Sequence, residues 1–167
     1  LVSLGIVADS HPNVLSLCLR SYDVVVPAEV VTELQEMASC DGEHGQAATS
    51  VLDRTDSVEI HAVDLDTEFP LDDGENAAVT LANERDVERF LCDEFNRIGL
   101  IHASLADTRL VTTPTLLSVF VRTEQLRADD ALTLLEEISS ARSWDGNSYV
   151  QRARSLLDTS ETDTTSQ

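Results

Sequence analysis

Two acidic residues just ahead of an apolar helical pattern are the strongest candidates for a chemical role such as metal binding. Asp72 and Glu75 flank a glycine. Glu75 also precedes three residues of an apolar stripe by three, four and seven positions: Ala78, Val79 and Ala82. A helix here would place Glu75 at the start of its apolar face, where an unpaired charge is costly. Two explanations stay open: a capping box, in which Asp72 caps the helix and Glu75 reaches back to its amide, or a metal pocket shared with other carboxylates.

Two other stretches could supply those carboxylates. Glu33 lies beside the apolar stripe of a predicted helix over 28–38, where it either joins a site or reaches solvent from the flank. Asp93 and Glu94 follow a short predicted strand over 88–92. Ligands of open parallel sheets bind at the carboxyl ends of strands, but Asp93 equally suits the N-cap of a helix over 94–103. Glu94 is either an outer ligand or a first-turn acid favoured by the helix dipole.

The strong acidity of the chain indicates the conditions in which it works. The formal net charge is −20, the pI is about 4.2, and all eleven basic residues are arginine. Because 42% of the residues are hydrophobic and clearly periodic, we expect a folded domain with a surface adapted to multimolar salt, as in a halophilic cell. There the screening length is roughly 3 Å or less, so a nucleic-acid substrate is not excluded. Phosphate binding would depend on metal ions and on arginines such as Arg97 and Arg109.

Length and cysteine usage predict one cytoplasmic domain. The 167 residues suffice for a single core, and no stretch has the pattern of a signal peptide or a membrane helix. The cysteines are Cys18, Cys40 and Cys92. Their odd number and wide spacing suit a reducing compartment better than a disulfide framework or a zinc site.

The alternation of strand and helix patterns predicts an α/β fold with a mainly parallel sheet. A single domain is expected over 1–157, followed by a disordered acidic, Ser/Thr-rich tail over 158–167. The predicted strands cover 23–26, 57–63, 88–92 and 109–112. The predicted helices cover 14–19, 28–38, 46–52, 73–85, 94–103, 114–123, 129–141 and 147–157.

The order of these features resembles the PIN-domain nuclease family over roughly 1–138. The matching pieces are a strand ending in proline (Val24-Val25-Val26-Pro27), Glu33 about two turns into the next helix, the helix start Asp72-Asp73-Gly74-Glu75, the strand end Leu91-Cys92-Asp93-Glu94, and the last strand and helix from Leu110 to Leu117. No single motif is specific, but the ordered set is moderately so.

The resemblance implies a three-layer α/β/α sandwich and a divalent-metal-dependent endoribonuclease. Glu33, Glu75 and Asp93 would be the catalytic residues, and with Glu94 they would be the metal ligands. A site made only of carboxylates suits Mg²⁺ or Mn²⁺, which prefer oxygen. RNA would be the substrate. The family also allows a toxin role beside an antitoxin protein, and a second copy of the chain as a partner.

Two departures from the family pattern bear on activity. The family's first carboxylate is an aspartate at the end of a first strand, and both would lie ahead of Leu1, since Asp9 is too far along to replace it. The glycine expected between Thr112 and Thr115 is absent, and Thr113-Pro114 stands there. A catalytically incomplete PIN-like binding or regulatory module is therefore the main alternative.

Two other acidic α/β classes fit less well. A response-regulator receiver needs a lysine late in the chain, and this sequence has none. The stretch Asp64-Leu65-Asp66-Thr67 resembles a haloacid-dehalogenase motif, but it lies far from the start of the chain and also lacks a supporting lysine.

Overall fold

Helices and short strands alternate in the computed structural model, which describes residues 1–164 and the side chains of 1–159. The helices are α1 (Val2–Ile6), α2 (Val14–Ser21), α3 (Ala28–Ala38), α4 (Glu43–Leu52), α5 (Asp73–Glu84), α6 (Ile98–Ser104), α7 (Thr113–Arg122), α8 (Ala128–Arg142) and α9 (Ser148–Thr164). The strands are β1 (Val25–Pro27), β2 (Glu59–His61), β3 (Arg89–Leu91) and β4 (Arg109–Val111). The predicted mixed α/β class is confirmed.

The strands form two separate parallel pairs. β1 pairs with β2, with Val26 opposite Ile60, and β3 pairs with β4, with Phe90 opposite Leu110. Parallel strands place their carboxyl ends at one edge. α3 therefore starts at the edge where β1 and β2 end, and α7 starts where β3 and β4 end.

Most of the core lies between helices. The largest fully buried side chains include Leu4 of α1, Leu15 of α2, Phe120 of α7, and Leu135 and Ile138 of α8. The strands are only three residues long and contribute little to this core. Packing between helices therefore determines the positions of the elements that carry the acidic residues.

A close contact between two helices explains why position 5, in the apolar run at the start of the chain, is a glycine. This run forms α1, which packs on α4. A Cβ on Gly5 would lie 2.4 Å from the carbonyl oxygen of Ala47 in α4. Only glycine lets the two backbones approach this closely.

Several boundaries differ from the predictions. The predicted strand 57–63 keeps only Glu59–His61, and the predicted helix 94–103 begins at Ile98. Two turns explain the later start, since the Phe95 N–H donates to the Asp93 carbonyl (3.0 Å) and the Arg97 N–H donates to the Glu94 carbonyl (3.1 Å).

The disordered tail predicted over 158–167 lies only partly within the described residues. α9 extends to Thr164, and 165–167 lie outside the described residues, so the tail stays a prediction. Within 1–164, no helix combines the length and the apolar character needed to cross a membrane.

Candidate functional site

The start of α5 carries the capping box. Asp72 is the N-cap, and its Oδ1 accepts a hydrogen bond from the Glu75 N–H at 3.0 Å. In return, the Asp72 backbone amide favours the ionised carboxyl of Glu75, which partly opposes the rise in its pKa that burial causes. The Glu75 side chain is only 15% exposed. Capping therefore explains the spacing of the two residues, while the Glu75 carboxylate still lies in a largely buried position.

Glu33 reaches the same helix start from α3. A Cβ built on Gly74 would lie 2.3 Å from Glu33 Oε1 and 2.4 Å from Oε2, so the carboxylate occupies the space that a side chain at position 74 would fill. The backbone amide of Gly74 also favours the ionised carboxyl of Glu33. Although Glu33 is exposed as a residue, its carboxyl group lies against the start of α5, where the charge of Asp72 and, more weakly, that of Glu75 act on it.

These acidic groups repel one another. Partial burial raises the pKa of Glu33, and the nearby charges of Asp72, Glu36 and Glu75 raise it further, against the opposing amide of Gly74. Burial also raises the pKa of Glu75, with a further contribution from Asp72. Clustered carboxylates with raised pKa values are typical of sites that bind a cation or transfer a proton.

Arg97 supplies positive charge to the cluster. Its Nη1 lies 2.6 Å from Glu75 Oε2 and 3.2 Å from Asp72 Oδ2. This ion pair opposes the rise in the pKa of Glu75. Arg97 therefore contacts the carboxylates of the site, and its expected contact with a phosphate stays a prediction. Arg109 begins β4, at the opposite end of that strand from Thr112.

Asp93 is oriented by the start of α7. Its Oδ1 accepts from the Thr113 N–H and its Oδ2 accepts from the Thr113 hydroxyl, both at 2.7 Å. Thr113 is fully buried, so these bonds hold the carboxylate firmly. The alternative in which Asp93 caps the following helix is wrong, because Arg97 holds the N-cap position of α6.

Cys92 lies close enough to both Asp93 and Glu75 for their charges to act on its thiol. Burial raises the pKa of its thiol, and the charges of Asp93 and Glu75 both raise it further. Glu94 follows in the same turn, partly buried, and its N–H donates to Cys92 Sγ at 3.4 Å. The structure thus gathers Glu33 and Glu75 at one helix start, with Asp93 and Glu94 on the neighbouring turn.

A divalent metal fits this site in its chemistry. The donors would be carboxylate oxygens. Burial and the charge of Asp72 raise the pKa of both Glu33 and Glu75, and a bound cation would lower both pKa values. Among the described residues, however, no three acidic, histidine or cysteine side chains converge closely enough to form a ready ligand set. Arg97 stands against two of the oxygens, and Thr113 holds both oxygens of Asp93.

Three residues with positioning roles were not identified from the sequence. Gly74 makes room for Glu33, and Thr113 orients Asp93. Asn76 is buried in α5 and fixes the acidic connector, since its amide bonds both the carbonyl and the N–H of Asp66, at 2.6 and 3.0 Å. The sequence did contain one sign of the role of Asn76. It is a polar amide directly after Glu75, in a helix that has an apolar face.

Glu33→Gln is expected to stabilise the metal-free protein at neutral pH but not at acidic pH. The folded state binds the Glu33 proton more tightly than the unfolded chain does, because its pKa is raised. This contribution to the free energy of unfolding is present below about pH 4 and is lost as the pH rises through the raised pKa. Glutamine does not titrate, so its stability does not fall in this way. The free energy of unfolding of the variant, relative to wild type, should therefore increase as the pH rises through the raised pKa of Glu33.

Urea unfolding at several pH values in constant KCl measures this difference. Glu84→Gln, at the exposed end of α5, is the matched control and should show a smaller dependence. A stability difference for Glu33→Gln that stays constant with pH would contradict the repulsion described for the cluster.

Comparison of the chain with protein-family models, with curated proteins and with solved structures gave no match.

Proposed function

We propose that the protein is a divalent-metal-dependent ribonuclease of the PIN type. The observation that carries the proposal is the position of the Glu33 carboxylate against Gly74, at the helix start that also carries Asp72 and Glu75. Two helices that are distant in sequence thereby bring carboxylates together at a glycine that leaves room for them. This arrangement costs electrostatic repulsion, and a bound cation would turn that cost into binding energy.

The roles follow from the positions of the side chains. Glu33, Glu75 and Asp93 would hold Mg²⁺ or Mn²⁺, with Glu94 as an outer ligand. Such an ion supplies a water of lowered pKa and neutralises charge on the scissile phosphate. The chain itself orients Asp93 through Thr113 and excludes water from the buried side of Glu75.

Mn²⁺ is expected to raise the melting temperature of the wild-type protein in multimolar KCl. At 100 times the dissociation constant, binding adds about 2.7 kcal/mol, or about 5–10 °C for a domain of this size. Glu33→Gln should lose most of this rise, because it removes one of the carboxylates beside Gly74. Scanning calorimetry with a Mn²⁺ titration measures both.

A control variant distinguishes Mn²⁺ binding at the site from diffuse Mn²⁺ binding to the acidic surface. Glu84→Gln also removes one negative charge, at an exposed position of α5, and should keep the full Mn²⁺ response. Equal responses of the two variants would mean that Mn²⁺ binds diffusely.

A binding or regulatory module without catalysis is the second candidate. It is favoured by the ion pairs of Arg97 with Glu75 and Asp72, and by the absence of a ready ligand set among the described residues. In that case Arg97 neutralises the cluster permanently. Wild-type protein that shows no rise in melting temperature with Mn²⁺ would support this second function.

The proposal includes the three-layer arrangement of the PIN type. Both strand pairs are parallel, as the strands of the proposed central sheet would be. The family pattern also includes a first strand that ends in an aspartate. We therefore suggest that activity be measured both on the chain 1–167 and on a chain that carries in-frame upstream residues.

The remaining parts of the proposal concern setting and partners. The net charge of −20 and the lack of lysine support a halophilic cytoplasm. RNA is the proposed substrate, and an antitoxin protein or a second copy of the chain are proposed partners. An antitoxin gene beside this one would support the toxin role.

A further inference from the structure

An aromatic cluster lies next to the carboxylate site. The chain is poor in aromatic residues, with one tryptophan, two tyrosines and four phenylalanines. Three of these residues contact one another. Phe95 packs edge-on against Trp144, with ring centroids 4.9 Å apart, and stacks on Tyr149 at 5.3 Å with an interplanar angle of 24°.

The turn after β3 fixes this cluster to the site. The Phe95 N–H donates to the carbonyl of Asp93 at 3.0 Å, and the carboxylate of the same aspartate is held by Thr113. Phe95 therefore cannot move far without moving Asp93. The stack of rings starts beside one of the proposed catalytic carboxylates.

Exposure increases along the stack. Trp144 is 8% exposed and belongs to the core, whereas Tyr149 is 37% exposed. Tyr149 uses one ring face against Phe95, and its exposed area is available to a ligand.

Arginines accompany the aromatic rings. The guanidinium of Arg142 lies over the Trp144 ring, 5.6 Å from its centroid. Arg152 is exposed and follows Tyr149 by three positions on α9, which places both on one face of the helix. Within 1–159, neither arginine makes an ion pair with a carboxylate. In a chain of net charge −20, unpaired arginines beside an exposed aromatic ring favour a ligand that combines a flat ring with a phosphate.

We propose that Tyr149, supported by Phe95 and Trp144, is a stacking platform for a base of single-stranded RNA, and that Arg152 contacts the adjoining phosphate. This inference rests on the proposed ribonuclease function, for which it adds a substrate subsite. Base stacking tolerates any base, so the platform would position the strand without reading sequence. It also suits multimolar salt, where the attraction of arginine for phosphate is strongly screened and stacking must supply more of the affinity.

The test is the binding of a fluorescent single-stranded oligoribonucleotide, measured by anisotropy in EDTA so that cleavage is excluded. Tyr149→Leu should weaken binding by about tenfold, as expected for the loss of one base–aromatic stack, whereas Tyr149→Phe should stay within about twofold of wild type. Ile60→Ala, at another exposed apolar residue, is the control and should bind as wild type.

Two further readouts separate stacking from a structural role. An oligomer of the same length without bases should bind wild type and Tyr149→Leu equally. Because Trp144 is the single tryptophan, its fluorescence should change when the normal oligomer binds. Arg152→Gln should weaken binding at low salt, and Arg122→Gln, an exposed arginine at the end of α7, should not.

The outcomes distinguish this inference from the function on which it rests. If wild type cleaves RNA but Tyr149→Leu binds as wild type, the platform is wrong and the nuclease stands. If wild type binds RNA through Tyr149 but neither it nor the chain with upstream residues cleaves RNA, the platform stands and the nuclease is wrong. If the wild-type protein does not bind single-stranded RNA, the platform is overturned, and an exposed stack that binds another protein becomes the better explanation.

Discussion

Glu75→Gln should reduce RNA cleavage at least about 100-fold while the protein remains folded. Glutamine keeps the size of the side chain and removes only its charge. The largely buried position beside Glu33 then no longer offers a carboxylate to a cation. The fold should persist because Arg97 keeps its contact with Asp72, and because the Asp72 side chain still caps α5 through the backbone N–H of residue 75.

Initial cleavage rates and thermal unfolding measure the two halves of this prediction. Glu84→Gln lies on the same helix at an exposed position and should cleave at the wild-type rate. Cleavage by Glu75→Gln within about threefold of wild type would remove Glu75 from the mechanism, since mutation of even the outer-shell partners of a catalytic metal costs about 10–100-fold.

Gly74→Ala should also abolish most of the activity, through a residue that has no reactive group. The new Cβ would lie 2.3 and 2.4 Å from the two Glu33 oxygens, and 2.5 Å from their carbon. Because that carboxyl group ends a flexible side chain, it can swing away without disturbing the backbone. We expect a loss of Mn²⁺ affinity and a fall in cleavage of about 100-fold, since small displacements of positioned groups have effects of this size.

Stability separates this mechanism from simple misfolding. Alanine is favoured over glycine in a helix by up to about 1 kcal/mol, so Gly74→Ala should melt close to wild type. Gly99→Ala, in α6, is the control: its Cβ would have no neighbour within 4 Å, and it should be neutral or stabilising and fully active. Full activity in Gly74→Ala would show that the position of Glu33 against α5 does not matter for catalysis.

Local sequence patterns were enough to predict which segments form the main helices and strands. They were not enough to predict the contacts within the candidate site. The strand before Pro27 and the helix after Asp72 were predictable because proline, capping residues and apolar periodicity act within a few positions. The delayed start of α6 was missed, since two tight turns after Asp93 replace the expected first helical turn.

The residues of the candidate site could be proposed from the sequence, but their contacts could not. The spacing placed Glu75 at the start of an apolar face, which the structure confirms. The contact of Glu33 with Gly74 depends on how α3 packs on α5, and Asp93 finds Thr113 twenty residues later in the chain. Neither pairing leaves a local signal, because each arises only once the helices are assembled. The same holds for Arg97, whose carboxylate partners lie 22 and 25 positions away.

The most direct measurement is RNA cleavage in multimolar KCl with Mn²⁺, with EDTA, and with Mn²⁺ restored after EDTA. It is made on the chain 1–167 and on the chain with upstream residues. The proposed site predicts cleavage that disappears with EDTA and returns with Mn²⁺, in at least the longer chain. Cleavage by neither chain, together with no Mn²⁺-induced rise in melting temperature, would contradict the metal-dependent nuclease.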